Sequence, residues 1–327
     1  MDVPLFDVVP WTHGYSHSWA LRWLLVKDKV ARDRLLGVFL PEGKPPWRVE
    51  NMNKEFKVAR HRADLRFDAT DATGHETMVL LETKVNDDLK QPQIEAYCGT
   101  PAEVIIYGPG LTGLLHSGGD PIGRERWITG RQVTHVLKDH LSSLPDLIRS
   151  YLAGVAGQAD RMDAARQAAR GGPDFDRADD ISEVNADDVE AVAWVAEVAA
   201  ALRALGADGI KPRNTRHDYG VFWAGSWREL DAGRDLGFYI DVLAAHEGWE
   251  YVIAIKIGGG DGDDRGRAFN AAMEAGPPWE GWISGRRSRA ETFRVWKLDA
   301  GSMTPPQAAD AALRARAYID ALVEGGS

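Results

Sequence analysis

Apolar and polar positions alternate along Arg62–Asp68, with Ala63, Leu65 and Phe67 on one side and Asp64, Arg66 and Asp68 on the other. That period of two is the signature of a half-buried strand. A polar stretch from Ala69 to Glu76 contains Asp71-Ala72-Thr73-Gly74 and reads as a turn. The apolar, β-branched run Thr77–Val85 then predicts a second strand, antiparallel to the first. Lys90–Tyr97 predicts a helix, with Asp87-Asp88 suited to cap it and Pro92 in its first turn. Gln93 and Tyr97 are four apart and share one face of that helix. Ala102–Tyr107 is a compact buried strand ended by Gly108-Pro109-Gly110. Strand, strand, helix, strand predicts an α/β core with a crossover.

Beyond it, Gln132–Leu141 reads as a helix, and Pro145-Asp146 opens another through Val155. Residues 158–180, rich in Ala, Arg, Asp and Gly, are the candidate linker between a domain at 1–157 and one at 181–327. Asn185–Asp188 caps a long apolar helix closed by Gly206. Strands are predicted at Tyr219–Trp223, Leu236–Leu243, Trp249–Ile257, Trp279–Ile283 and Phe293–Leu298, and a last helix from Pro305 to about Val323. The second domain is therefore α+β. In it Asp241, Ala254 and Lys256 repeat an Asp…x-x-Lys layout, which fits either a decayed duplicate of the first core or an ordinary hairpin. Gly258–Asp263 reads as a loop.

At 327 residues the chain is long for one α/β core. Its 44% hydrophobic and 27% charged content is that of a globular protein. Met1–Pro10 carries Asp2 and Asp7 and lacks the basic start of a signal peptide. No apolar stretch has membrane-spanning length, and the single cysteine, Cys98, fits a reducing compartment. A cytoplasmic location is expected. The net charge of −10 is unevenly placed. Residues 1–150 hold 19 Lys and Arg against 20 Asp and Glu, and the C-terminal remainder holds 20 against 29. The acidic half is an unlikely seat for a polyanion. It is the expected surface for self-association or a partner protein, using some of its seven tryptophans (Trp194, Trp223, Trp227, Trp249, Trp279, Trp282 and Trp296), most of which are expected in the core. In the first half Arg22, Lys27, Lys29, Arg32 and Arg34 lie close in sequence, and a solvated helix face explains them better than phosphate contacts do. His13 and His17 have i, i+4 spacing, but Gly14 between them argues against a zinc site.

The candidate chemistry sits on the first two strands. Asp64 and Glu82 would converge at one place, with Lys84 on the same face as Glu82. Two adjacent carboxylates repel unless a cation lies between them, and hard oxygen ligands suit Mg²⁺ or Mn²⁺. A metal that lowers the pKa of a water, beside a Lys that positions it, is the equipment for hydrolysing a phosphodiester. A solvated Glu-x-Lys ion pair at a strand end is the alternative.

The order of these motifs resembles the PD-(D/E)XK nuclease superfamily over about residues 15–155. Asp64 corresponds to the first acid, and Glu82 and Lys84 to (D/E)-x-K. Within it, the chain is similar to a group of predicted bacterial nucleases with three further marks. They are an N-terminal helix, here His17-Ser18-Trp19-Ala20-Leu21-Arg22-Trp23-Leu24-Leu25, an Arg-x-Asp at Arg62–Asp64, and Gln-(Leu/Ile)-x-x-Tyr at Gln93–Tyr97. The resemblance implies a restriction-endonuclease-like α/β core, a mixed sheet flanked by helices. It implies a Mg²⁺- (or Mn²⁺-) dependent nuclease acting on DNA, with a role in bacterial defence against foreign DNA. Asp64 and Glu82 would hold the metal, Lys84 would position the attacking water, and Gln93 would orient Lys84 or a phosphate. Tyr97 would pack or touch the substrate backbone, and Glu55, on the preceding strand, would complete the acidic set. A catalytically silent nucleic-acid-binding or scaffold subunit and an RNA-directed nuclease are the competing readings.

Overall fold

Asp28 separates the first two helices, α1 (Gly14–Lys27) and α2 (Lys29–Phe39), and its carboxylate accepts the Ala31 amide at 2.8 Å as the N-cap of α2. The computed structural model describes residues 14–85, 91–116, 123–171, 186–214, 218–230, 234–245, 250–285 and 293–325. The side chains of 91, 186–188, 212–230, 234, 235, 245, 250, 324 and 325 are outside that description. The chain divides into two compact units, Met1–Ser117 with Pro121–Asp163, and Gly118–Asp120 with Ala164–Ser327.

The first unit is built on a five-stranded mixed sheet in the order β1-β2-β3-β4-β5. β1 (Arg48–Val58), β2 (His61–Thr70) and β3 (Glu76–Thr83) are antiparallel. After β3 the chain passes through α3 (Gln91–Cys98) to β4 (Glu103–Gly108), parallel to β3, and later to β5 (Arg126–Thr129), parallel to β4. The α/β class and the mixed sheet are therefore as expected. The β2–β3 turn is tied by Asp71, whose carboxylate accepts from the Thr73 hydroxyl and the Lys44, Thr73 and His75 amides. The Thr73 hydroxyl first, with those amides, holds its pKa down to about 2. Gly74 completes the turn at φ 85°, where a Cβ is disfavoured.

Alternation in β3 sets the two faces. Val79 and Leu81, with Leu65, Phe67, Ile105 and Tyr107, pack against Leu21, Leu24 and Leu25 of α1, Leu35 and Phe39 of α2, and residues of α5 (Gly130–Leu137) and α6 (Asp146–Ala169). Leu80, with Ala63, Val104 and Ile106, packs against Ile94 and Tyr97 of α3. At the β4 exit Gly108 meets Gly113 of α4 (Leu111–His116): a Cβ on Gly113 would stand 1.9 Å from the Gly108 carbonyl oxygen, so only glycine fits. α5 ends at Leu137 and continues as a 3₁₀ turn, Lys138–Ser143, rather than one helix to Leu141.

The second unit holds a six-stranded antiparallel sheet, β10-β11-β9-β8-β7-β6. Its strands are β6 (Ile210–Asn214), β7 (Asp218–Leu230), β8 (Arg234–Ala245), β9 (Glu250–Gly259), β10 (Trp282–Ser284) and β11 (Phe293–Asp299), with α7 (Ala186–Ala204), α8 (Gly262–Ala275) and α9 (Pro305–Gly325) packed on it. Four sequence readings can be set beside the structure. Helix α6 runs to Ala169, so residues 158–169 are helical rather than linker. Gly258–Asp263 is not merely a loop: Asp261 caps α8, accepting the Asp263 and Asp264 amides at 2.9 Å. Among the described tryptophans of this half, Trp194, Trp282 and Trp296 are buried core, and Trp279 lies under the Arg314 guanidinium. The side chains of Trp223 and Trp227, and all of Trp249, lie outside the described residues. Asp241 faces Ala254 in a regular β8–β9 hairpin and forms a buried ion pair with Lys256. The strand after α8 that joins β9, β11, is antiparallel to it, whereas β4 is parallel to β3, so the second sheet departs from a copy of the first. Among the described residues no helix is long and apolar enough to cross a membrane.

Candidate active site

The ladder between β2 and β3 ends at Leu65–Leu81, so Asp64 and Glu82 follow side by side at its end. β3 stops at Thr83, yet the Lys84 amide still bonds to the Tyr107 carbonyl at 2.9 Å, continuing the β3–β4 pairing by one residue. This places Lys84 Nζ 3.0 Å from Glu82 Oε1, with both side chains largely buried. The sequence reading of one site from Asp64, Glu82 and Lys84 thus finds the three residues together.

Asp64 Oδ2 accepts the Thr83 amide at 2.7 Å. Burial pushes the Asp64 carboxyl above its ordinary range, against the pull of that amide, the Ser18 hydroxyl and the Lys84 charge. Glu82 is also pushed up, by burial first and by the Asp64 charge second, while Lys84 and Tyr97 oppose. Both carboxyls are thus raised chiefly by desolvation, with the Lys84 charge opposing at each.

Gln93 and Tyr97 of α3 supply the frame. Gln93 Nε2 donates to Glu82 Oε1 at 3.0 Å and to Tyr97 Oη at 2.8 Å. The Tyr97 hydroxyl lies 2.5 Å from the Arg62 carbonyl and 3.2 Å from Glu82 Oε2, and has one proton to give. Gln93 thus reaches Glu82, where Lys84 or a phosphate was the expected partner, and Tyr97 ties α3 to β2 and is fully buried, the packing role being one of the two expected of it. Asp87 and Asp88, the expected caps of α3, lie outside the described residues.

Glu55 lines a cavity of ≈ 10 Å³, about one water's worth of space, together with Tyr15, Ser18, Trp19, Lys54, Asp64 and Leu65. Its side chain is exposed and joins none of the hydrogen bonds of the cluster. It therefore borders the site without completing an acidic set. Glu55 has φ 51°, a rarely occupied region for a non-glycine residue. Among the described residues no group of three or more His, Cys, Asp or Glu side chains is placed to hold a metal. Two carboxylates are enough for Mg²⁺, which keeps most of its waters, and the mutual repulsion that raises Glu82 beside Asp64 fits a divalent cation.

Sequence reasoning missed two partners. Ser18 Oγ meets Thr83 Oγ1 at 3.1 Å across 65 positions and reaches Asp64. The hint was that His17-Ser18 opens the N-terminal helix motif on which the family resemblance partly rests. His17 itself is buried, 3.1 Å from the Tyr151 hydroxyl; His13 lies outside the described residues. Of the basic set in α1 and α2, Arg34 is spent on the Val136 carbonyl. Compared with known proteins, the chain matches no family model, no curated protein and no solved structure.

Proposed function

We propose that the chain is a Mg²⁺- or Mn²⁺-dependent nuclease that hydrolyses phosphodiester bonds in DNA, with a restriction-endonuclease-like core of the PD-(D/E)XK kind. The observation that carries the reading is the Asp64–Glu82–Lys84 cluster: a buried Glu82 carboxylate beside a half-buried Asp64 carboxylate, both held above their ordinary pKa, with an ammonium 3.0 Å from Glu82. A structural ion pair needs one acid and one base; the second acid adds repulsion and is explained by a cation bound between them. Asp64 and Glu82 are the residues that would hold it. When bound, the metal supplies charge stabilisation to a phosphoryl oxygen and lowers the pKa of a water.

The chain's own residues do the rest. The Thr83 amide fixes Asp64. Gln93 and Tyr97 fix both oxygens of Glu82, so neither carboxylate has to reorganise when charge develops. Lys84 has its ammonium at the mouth of this pair, where it holds a water or a phosphate oxygen by charge-assisted hydrogen bonds. A role in defence against foreign DNA extends this reading, as does self-association or partner docking through the acidic half.

The test is incubation of the full chain with supercoiled plasmid, single-stranded DNA and RNA, each with Mg²⁺, Mn²⁺ or EDTA. Metal-dependent cutting of DNA is expected. Cutting of RNA alone would move the substrate; no cutting of any polymer would favour a silent nucleic-acid-binding or scaffold subunit.

A further inference from the structure

The β1–β2 hairpin continues past the end of β3 and carries cations where a strand pair should avoid them. Lys57 and Arg62 are direct partners in the antiparallel register, and both are exposed. Like charges directly opposite one another destabilise such a pair. Neither side chain has a hydrogen bond or ion pair among the described residues. β1 is the edge strand of the sheet, where an exposed Lys is ordinary, but Phe56, Val58 and Ala63, which flank the pair, pack on the α3 side and hold the hairpin without a second cation opposite it. A cationic pair kept at a cost in folding stability points to an anion that binds between the two charges.

Its position names the anion. Arg62 precedes Asp64 by two residues in β2, a rise of about 6.7 Å along the strand. That is roughly the step from one nucleotide to the next. The Arg62 backbone is anchored to the candidate site, because its carbonyl is the close partner of the Tyr97 hydroxyl. Arg60, in the turn between Val58 and His61, adds a third exposed cation at the tip. We infer that Lys57 and Arg62 form a phosphate clamp, gripping the DNA backbone one nucleotide from the phosphate presented to Asp64, Glu82 and Lys84. The inference rests on the nuclease reading for the identity of the polymer, but concerns binding rather than cleavage. No reaction step is added: the guanidinium and ammonium neutralise a phosphate and release its counterions.

The experiment measures binding without cleavage. Full-length protein is titrated against a fluorescein-labelled DNA duplex in EDTA, by fluorescence anisotropy, over a series of salt concentrations. Replacing both cations (Lys57→Gln with Arg62→Gln) should weaken binding at low salt by about tenfold or more and reduce the slope of log K against log[salt] by about 2. The same variant, free of DNA, should melt at or above the wild-type temperature, because it loses a repulsion. The exchange Lys57→Arg with Arg62→Lys keeps both charges and should bind like wild type. Unchanged affinity and slope in the Gln variant would overturn the inference, as would equal loss in the exchange variant, or wild-type protein that does not bind the duplex. Wild-type binding that depends on Lys57 and Arg62, without cutting when Mg²⁺ is added, would retain the clamp and reject the nuclease. Cutting with unchanged binding by the Gln variant would do the reverse.

Discussion

Tyr97→Phe isolates the frame of the candidate site from its chemistry. The ring is fully buried among Ala63, Leu80, Ile94, Val104 and Ile106, and phenylalanine fills the same space. Only the hydroxyl goes. With it go the acceptor of Gln93 Nε2 at 2.8 Å and the contacts to the Arg62 carbonyl at 2.5 Å and Glu82 Oε2 at 3.2 Å. One neutral and one charge-assisted hydrogen bond are together worth about 2–4 kcal/mol. For a unit of this size each kcal/mol moves the melting temperature by about 2–4 °C, so a fall of roughly 4–15 °C is expected. Losing an outer partner of a metal-binding carboxylate usually costs about 10–100-fold in metal affinity or activity. The assay pairs calorimetric melting of metal-free protein at pH 7 with initial rates of plasmid cleavage in Mg²⁺. A variant that melts within about a degree of wild type and cuts at the wild-type rate would refute the claim that Tyr97 holds Glu82 and joins α3 to β2.

Other outcomes follow from the same geometry. Asp64 and Glu82 bind protons more tightly folded than unfolded, so between the ordinary carboxylate pKa and the raised one the folded chain carries more protons, and stability falls as pH rises through that window. Asp64→Asn keeps an acceptor for the Thr83 amide and removes one of the repelling charges; it should melt above wild type at pH 7, lose that advantage near pH 4, and bind no Mn²⁺ by calorimetric titration. Gly113→Ala would set a Cβ 1.9 Å from the Gly108 oxygen and should destabilise the first unit by about 3 kcal/mol or more in urea unfolding; a shift below about 1 kcal/mol would mean the β4–α4 contact is looser than described. Light scattering of the full chain should report a dimer or larger assembly; a strict monomer would remove self-association from the roles of the acidic half.

How much of this was visible in the sequence depends on the reach of each interaction. The β2–β3 hairpin, α3 and β4 were legible, because alternation, turn residues and an apolar run act locally. The convergence of Asp64, Glu82 and Lys84 was legible for the same reason, since all three lie on one hairpin. The orienting bonds were not: Tyr97 to Arg62 spans 35 positions and Ser18 to Thr83 spans 65. Gln93 was placed on the right helix face, but its bond to Glu82 was not foreseen, because helix periodicity fixes a face and not what lies opposite it. β5 went unseen because four residues, one of them buried, carry no period. Asp261 was read as loop because glycines at 258–260 hid a cap that only the following α8 makes evident. Most tryptophans of the second half were expected in the core, and Trp194, Trp282 and Trp296 are buried there.

The central claim is that Lys84 acts on a phosphodiester beside a metal held by Asp64 and Glu82. Its most direct test compares wild type and Lys84→Ala on supercoiled plasmid, with Mg²⁺ and with EDTA, after circular dichroism has shown both to be folded. The account predicts nicking or linearisation by wild type in Mg²⁺ only, and none by Lys84→Ala. Equal cutting by the two proteins, or full cutting in EDTA, would contradict it.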